Sequence, residues 1–134
     1  MAMGHTIKLA ALGAVAFMVL DGVWLGLLMK NFYRDQLAPI VRLADGGIAP
    51  NWPAAMVVYV LLGTGIALFV IPRASTLPSA AAFGALLGLV VYGVYDFTNY
   101  STLRQWPFML ALADTAWGAT ASALAAAAVR SVIR

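Results

Sequence analysis

The sequence predicts an all-α membrane protein with four transmembrane helices in a single domain, residues 1–134. Three observations predict this class. First, 63% of the residues are hydrophobic and only 10% are charged, and a soluble domain of this length has too little interior to bury so much apolar side chain. Second, four apolar segments reach the roughly 20 residues that a helix needs to cross a bilayer. Third, the basic residues flank these segments, as they do in membrane helices.

The predicted spans are residues 7–29, 53–71, 79–103 and 107–129. Asp21 interrupts the first apolar run and no small-residue cleavage site follows it, so we interpret this run as a retained helix and not as a signal peptide. Pro72, Arg73 and Pro78 follow the second span and predict a tight turn to the third. The fourth span is rich in alanine and ends at Arg130, whose charge suits a helix carboxyl terminus.

The longest connection, residues 30–52, joins the first and second spans. Its first half mixes aromatic, basic and apolar residues, which predicts a short amphipathic helix in the membrane interface, with a polar loop as the alternative. Asp45, Gly46 and Gly47 then predict a break in that helix.

Two similar tripeptides, NWP at 51–53 and QWP at 105–107, precede the second and fourth spans. Each offers an amide side chain as a helix cap, a tryptophan at headgroup level and a proline in the first turn. The repeat predicts two helical hairpins, the first span with the second and the third with the fourth, related by a pseudo-twofold axis along the membrane normal. Two unrelated interfacial helix starts are the alternative.

Small residues four positions apart predict where the helices pack closely, because they let two backbones approach each other in lipid. Such residues are Gly22 and Gly26 in the first span, Gly84 and Gly88 in the third, and Gly118 and Ser122 in the fourth. We therefore expect a tight bundle that can also self-associate.

Three aspartates lie inside the predicted spans. Asp21 lies eight residues before the end of the first span, Asp96 seven before the end of the third, and Asp114 seven after the start of the fourth. In an up-and-down bundle these ends share one membrane side, so a rise of 1.5 Å per residue puts all three carboxylates roughly 10–12 Å inside that boundary. Because carboxylates are costly at such a depth, they must face the bundle interior, one another or a water-filled cavity.

Polar and aromatic residues at helical spacing accompany the aspartates. They are Trp24 in the first span, Tyr92, Thr98 and Asn99 in the third, and Trp117 in the fourth. Together with Asp21, Asp96 and Asp114 they predict a ligand-binding recess with aromatic walls. The alternative is that the aspartates only join helices through hydrogen bonds. If two of the acids approach each other, one is expected to hold its proton at neutral pH, so proton-linked binding belongs to the first interpretation.

Residue types that are scarce in the sequence argue against several functions. Cysteine is absent, and the single histidine, His5, precedes the first span. Di-iron, haem–histidine and serine–histidine–aspartate chemistry therefore lack their side chains. We predict no cofactor; the aspartates could bind a divalent cation such as Mg²⁺, but their spacing matches no metal motif. The basic residues form no stripe, so no nucleic-acid partner is expected.

Six separated motifs, in this order along the chain, resemble the motifs of a known protein family. They are LDGVWLG at 20–26, NFY at 31–33, NWPAA at 51–55, YDFTN at 95–99, QWP at 105–107 and DTAWG at 114–118. This set resembles an uncharacterised bacterial family of four-helix membrane proteins, domain of unknown function 2177, over essentially the whole chain, although the segment between NFY and NWP is longer than the family pattern implies. The resemblance implies a multi-pass protein of the bacterial inner membrane, and it implies no activity and no catalytic residue.

The sequence leaves three functions open. The favoured one is the binding or transport of a lipid headgroup, or of a small amphipathic or proton-coupled ligand, in the recess, with membrane lipids as partners. Four helices are few for a transporter, so a homodimer is expected in that case. The first alternative is an accessory subunit that packs against a larger membrane complex. The second is a lipid-modifying enzyme with an aspartate as general acid or base; it needs a second reactive group or a metal, and the sequence offers only acids and tyrosines for that role.

The basic residues divide evenly between the two membrane sides. Those on the side of the amino terminus are Lys8, Arg73, Arg130 and Arg134, and those on the other side are Lys30, Arg34, Arg42 and Arg104. The free amino terminus and the loop aspartates Asp35 and Asp45 favour a cytoplasmic amino terminus. The recess would then face the periplasm.

Overall fold

Helices dominate the computed structural model, which describes residues 2–133. Helix α1, Met3–Val23, continues as a π-helical turn, Trp24–Leu28. Helix α2, Lys30–Leu37, is followed by strands β1, Leu43–Ala44, and β2, Gly47–Ile48. Helix α3, Trp52–Gly65, continues as a π-helical turn, Ile66–Val70, and a 3₁₀ turn, Ile71–Arg73. Helices α4, Leu77–Thr102, and α5, Phe108–Ser131, follow.

Four helices in residues 2–133 are long and apolar enough to cross a membrane. They are Met3–Leu28, Trp52–Arg73, Leu77–Thr102 and Phe108–Ser131. The predicted all-α membrane fold is therefore confirmed, and each predicted span agrees with its helix to within four residues at either end. Large apolar side chains such as Leu61, Phe69 and Val90 are exposed on the outside of the bundle, which suits a surface that contacts acyl chains.

The four spans pack as two antiparallel pairs, α1 with α3 and α4 with α5. In the first pair Gly13 meets Gly63, whereas Asp21, later in α1, meets Tyr59, earlier in α3. Helix α5 also packs along α1 and so joins the two pairs. The two predicted hairpins are confirmed, and the pseudo-twofold axis between them stays a prediction.

The two ends of the bundle differ in what closes them. At one end the start of α1 lies near the turn between α3 and α4 and the end of α5, where the Arg130 guanidinium donates a hydrogen bond to the Ser75 carbonyl at 2.7 Å. The other end carries the long connection, residues 29–51, and the short loop, residues 103–107. We call this second end the loop end. Asp21, Asp96 and Asp114 all lie within two turns of it along their helices.

The long connection contains the predicted amphipathic helix, but α2 is shorter than the segment expected and Tyr33 is its single buried residue. A hairpin that the sequence interpretation missed follows it. Leu43 pairs with Ile48 across a turn in which Asp45 has φ 51° and Gly46 has φ 76°. Two successive positive φ angles are typical of the tight hairpin turns that Asp-Gly favours. The break predicted at this point is therefore the turn of a small hairpin.

The two similar tripeptides begin their helices differently. The Ala54 amide donates to Oδ1 of Asn51 at 3.2 Å, so Asn51 caps α3 as predicted. The predicted cap at Gln105 is wrong, because the residue that precedes α5 is Pro107 and no side chain caps that helix. The proline stands two positions earlier relative to its helix than Pro53 does, which leaves Gln105 too far from the first-turn amides to accept from them.

Close packing of α4 on α5 occurs where the sequence predicts it. A Cβ atom on Gly84 would collide with the Ser122 backbone, and one on Gly88 would collide with the Gly118 backbone. Gly118 in turn lies against the ring of Tyr92. These positions bring the two backbones together, as small residues do in lipid.

In α1 the predicted small-residue face is not used inside the bundle. Gly22 and Gly26 have no described atom within 4 Å of an added Cβ. Helix α1 instead crosses α3 at Gly13 and Gly63, where an added Cβ on Gly63 would overlap the backbone of Ala10. Neither of these two glycines belongs to a glycine pair of four-residue spacing, so the spacing rule missed them.

Substitution of Gly63 tests this crossing. Gly63→Ala is expected to lower the free energy of unfolding by about 1–3 kcal/mol, because the new methyl group forces the α1 and α3 backbones apart. Gly22→Ala is the matched control and should not destabilise, since its methyl group meets no described atom. Unfolding of both variants in mixed detergent micelles checks this; equal stability of the two would contradict the close crossing.

Candidate ligand-binding site

Asp21 is buried, with 9% of its surface exposed, and it accepts two hydrogen bonds from other spans. Nε1 of Trp117 in α5 donates to Oδ1 at 2.8 Å, and the Tyr59 hydroxyl in α3 donates to Oδ2 at 3.0 Å. Hydrogen bonds to a carboxylate are stronger than those between neutral groups, and inside a membrane water does not compete for them. Asp21 therefore joins three spans at one point.

Asp114 is held by a residue outside the spans. The Tyr33 hydroxyl of α2 donates to Oδ1 of Asp114 at 2.6 Å and accepts from Nε1 of Trp24 at 3.0 Å. The Trp24 ring stacks on Trp117 with 4.4 Å between centroids and 3° between planes. Because Trp117 also donates to Asp21, the two carboxylates belong to one connected set of hydrogen bonds and stacked rings.

The position of Trp24 and Tyr33 depends on how α1 ends. The helix widens into the π-helical turn Trp24–Leu28, in which the Met29 amide donates to the Trp24 carbonyl at 2.7 Å. Met29 then leaves helical geometry, with φ −119° and ψ 16°, before α2 begins. π-Helical turns often occur at functional sites. Here the change of direction lets α2 bring Tyr33 back over Asp114.

Burial and the neighbouring Asp114 carboxylate raise the pKa of the Tyr33 phenol above its ordinary value of 10.0. Above about pH 10 an unfolded chain would lose this proton while the folded chain keeps it. The folded state then binds more protons than the unfolded state, so stability from this group is present below about pH 10 and is lost as the pH rises further.

Asp96 is fully buried, with 0% exposed, and neither carboxylate oxygen has a hydrogen-bond partner among the described residues. Its polar neighbours include Asp114 and the indole of Trp106. The Trp106 Nε1 is also buried without an acceptor. An unpaired carboxyl group in such a place is unusual, because buried polar atoms in proteins almost always find partners.

A cavity of about 210 Å³ lies beside these groups at the loop end. We call it the acidic cavity. Its lining residues are Asp21, Leu25, Tyr33, Leu37, Val41, Ile48, Tyr92, Tyr95, Trp106, Leu110, Asp114 and Trp117. Tyr33, Leu37, Val41 and Ile48 come from the long connection, so α2 and the hairpin form one wall of it.

The structure brings most of the predicted site residues together. Asp21, Tyr92, Asp114 and Trp117 line the acidic cavity. Asp96 and Trp24 lie directly behind that lining, against Asp114 and Trp117 respectively. A role in ligand binding stays a prediction for all of them.

Thr98 and Asn99 do not line the acidic cavity, and their predicted role in ligand binding stays a prediction. Thr98 is exposed and Asn99 is half-buried, and neither lines the cavity. The physical reason for Thr98 is helical geometry, since a residue two positions from Asp96 points to about the opposite side of α4. Asn99 lies one turn nearer to the end of the helix, beyond the cavity lining.

Four aromatic residues that contact the aspartates or line the cavity were missed as site residues: Tyr33, Tyr59, Tyr95 and Trp106. A signal for Tyr59 exists in the sequence, because it lies seven residues after Trp52 and Asp21 lies seven before Leu28. In an antiparallel pair these two positions share one depth, and a buried tyrosine hydroxyl needs a partner. No comparable signal identifies Tyr33, because its contact depends on the turn at Met29.

Among residues 2–133 no group of three or more histidine, cysteine or acidic side chains could hold a metal ion. Asp96 and Asp114 are neighbours, whereas Asp21 is already engaged by Tyr59 and Trp117. Hard cations such as Ca²⁺ take six to eight oxygen ligands and Mg²⁺ needs octahedral coordination. The arrangement suits a hydrogen-bonding ligand better than a resident metal.

Fold and site together define a four-helix membrane protein with an acidic cavity at one end of the bundle. The chain belongs to the family described as predicted membrane protein (DUF2177), whose family model matches residues 6–130. The resemblance noted from the six motifs is therefore confirmed. No curated protein and no solved structure matches the chain.

Removal of the Tyr33 hydroxyl tests the attachment of α2. Tyr33→Phe is expected to weaken the attachment of α2 to Asp114 by about 2 kcal/mol, because Asp114 loses a charge-assisted hydrogen bond. The backbone amides of α2 should then exchange faster with solvent. Tyr100→Phe removes a hydroxyl from an exposed residue of α4 and should leave that exchange unchanged. Hydrogen exchange followed by mass spectrometry measures both; unchanged exchange in Tyr33→Phe would show that α2 is held by other contacts.

An alkaline titration tests the environment of Tyr33. The wild type and Tyr33→Phe should show the same increase in tyrosinate absorbance between about pH 9 and 11, because the buried phenol stays protonated in that interval. If the wild type instead shows one additional tyrosinate, the phenol is solvated and not bound to Asp114.

Proposed function

We propose that the protein binds a lipid headgroup or a small amphipathic molecule in the acidic cavity, at the level of one membrane leaflet. The observation that carries this proposal is a cavity of about 210 Å³ that exposes Asp21 and Asp114 among aromatic and apolar side chains. Small-molecule sites typically combine mostly apolar walls with a few polar groups that fix orientation. Ionisable groups inside membrane spans are usually functional.

The depth of the cavity supports a ligand from the membrane interface. Asp21, Asp96 and Asp114 lie six or seven residues from the loop-end termini of their helical segments, Leu28, Thr102 and Phe108. At 1.5 Å per residue this is roughly 10 Å below the helix ends. The amphipathic helix α2 borders the cavity from the interface side, so movement of α2 would join the cavity to the headgroup region. With a cytoplasmic amino terminus, as expected from the sequence, this would be the periplasmic leaflet.

Packing between the two ends of the bundle favours binding over transport. A second cavity, of about 190 Å³, lies at the opposite end beside His5, Lys8 and Val132. Between the two ends the core contains fully buried apolar side chains, among them Phe17 and Ile66. Ser122 is a buried polar residue in this part of the described core, but a polar ligand would meet mostly apolar side chains along the path, and burying it there is costly.

The outer face of α1 supports a second candidate function, that of a subunit in a homodimer or a larger membrane complex. Gly22 and Gly26 lie one turn apart with no described atom within 4 Å of an added Cβ. Val19 and Val23 are exposed beside them. Small residues with this spacing allow close helix–helix contact in a membrane. This function would not require the acidic cavity.

A cavity-filling substitution tests the favoured function. Ile48→Trp adds bulk to a lining residue that is 36% exposed, without altering a carboxylate, and it should greatly reduce the amount of lipid or amphipathic molecule that co-purifies with the protein. Ile40→Trp makes the same change at an exposed position of the same connection outside the cavity lining and should retain the ligand. Native mass spectrometry of both variants from mild detergent measures the difference. Equal ligand occupancy in the two variants would contradict binding in the acidic cavity.

A further inference from the structure

The hydrogen bonds available to the aspartates are too few for the number of their oxygens. Asp21 accepts one hydrogen bond at each oxygen. Asp114 accepts one, at Oδ1 from Tyr33, and Asp96 accepts none. Both oxygens of Asp96 and Oδ2 of Asp114 thus have no donor among the described residues, and a proton shared between the two acids would supply a donor for only one of the three. Buried acceptors without donors are costly, so this part of the site is complementary to a group that donates hydrogen bonds.

We infer that the acidic cavity receives a primary ammonium group, which hydrogen-bonds to Asp114 at the cavity wall and compensates the charge of the Asp96–Asp114 pair behind it. This inference rests on the proposed function and names the ligand class for the same site. A primary ammonium carries a positive charge and three N–H donors. It therefore satisfies both requirements of the Asp96–Asp114 pair, a compensating charge and additional donors.

The charge of the lining supports a cationic ligand. Within the described chain no lysine or arginine lines the cavity, while Asp21 and Asp114 do. A phosphate or carboxylate group would thus meet carboxylates with no compensating cation. Charges of like sign placed this close in a membrane interior repel strongly.

Aromatic rings around the pair also suit an ammonium group. Tyr92, Tyr95 and Trp106 line the cavity, and the rings of Tyr95 and Trp106 meet edge to face at 5.7 Å. Aromatic faces attract cations, and more strongly where water is excluded. A cavity of about 210 Å³ holds the ammonium and a short carbon chain, and leaves no room for a whole lipid.

An organic ammonium fits better than a metal ion. Among residues 2–133 the acidic side chains do not form a group of three that could hold a metal. Two carboxylates would leave most coordination positions of a divalent cation to be filled by water. The apolar side chains of Leu25, Leu37 and Leu110 in the cavity wall offer that water no hydrogen-bond partners. The same walls stabilise the carbon chain of an alkylammonium.

The test uses the full chain in a neutral maltoside detergent, with tryptophan fluorescence and thermal unfolding as readouts. The probes are n-propylammonium chloride, n-propanol, tetramethylammonium chloride and MgCl₂. We expect only propylammonium to raise the unfolding temperature and change the fluorescence in a saturable manner, because propanol lacks the charge and tetramethylammonium lacks N–H donors. A saturable response to propanol, tetramethylammonium or Mg²⁺ as strong as that to propylammonium overturns the inference.

Matched variants locate the binding. Asp114→Asn should weaken propylammonium binding by about tenfold or more, because it removes a charge-assisted hydrogen bond. Asp96→Asn should weaken binding in the same direction, because it removes an acidic group directly behind Asp114. Asp45→Asn is the control: it removes the same charge from the hairpin turn at the loop end, where φ is 51°, a conformation that asparagine tolerates. Equal affinity in all three variants overturns the inference. Either site variant can alter folding, so the helicity of each is checked by circular dichroism. Two site variants are used so that the test can be made even if only one of them folds.

Bilayer nanodiscs distinguish a lipid headgroup from a soluble amine. Enrichment of phosphatidylethanolamine over phosphatidylcholine around the wild type, lost in Asp114→Asn, supports the ammonium of a lipid. Propylammonium binding without such enrichment supports a free amine, and both outcomes sustain the inference. If the wild type binds neither amine but Ile48→Trp still releases a co-purifying molecule, the inference fails while the proposed function stands. If Ile48→Trp releases nothing either, both fail.

Discussion

A carboxylate inside a membrane must receive its hydrogen bonds from the protein, and at Asp21 this requirement organises the bundle. Tyr59 and Trp117 reach it from α3 and α5, at 3.0 Å and 2.8 Å. Without these donors the charge would lie in hydrocarbon at a cost of several kcal/mol. One side chain of α1 thereby fixes the position of two other spans at the level of the acidic cavity.

Close backbone contacts make this convergence possible. Gly13 and Gly63 let α1 approach α3, and Gly88 and Gly118 let α4 approach α5. Because the helices are in contact at these glycines, side chains on neighbouring helices can also meet at the loop end. The π-helical turn after Asp21 and the turn at Met29 then direct α2 across this end, where Tyr33 binds Asp114. The two aspartates that the cavity exposes are thus held by residues from α2, α3 and α5.

The sequence was sufficient to predict the spans, the hairpins and the depth of the aspartates, because hydropathy and helical rise determine all three. It was also sufficient for the α4–α5 contact, where paired glycines carry the signal. The tilt of each helix and the direction of the chain after a span are not local properties, so the Gly13–Gly63 crossing and the position of Tyr33 could not be predicted. Thr98 is close to Asp96 along the chain but points away from the acidic cavity, because its direction around the helix differs by about half a turn. Tyr59 could have been found by comparing depths in antiparallel spans.

The most direct test of the convergence is a distance measurement by solid-state NMR on the protein in lipid bilayers, with ¹⁵N in the tryptophan indoles and ¹³C in the aspartate carboxyl groups. The contact between Trp117 Nε1 and Asp21, at 2.8 Å, predicts a strong nitrogen–carbon dipolar coupling that disappears in Trp117→Phe. If the carboxyl of Asp21 shows no coupling to any indole, the spans do not meet at this residue, and the acidic cavity is not assembled as described.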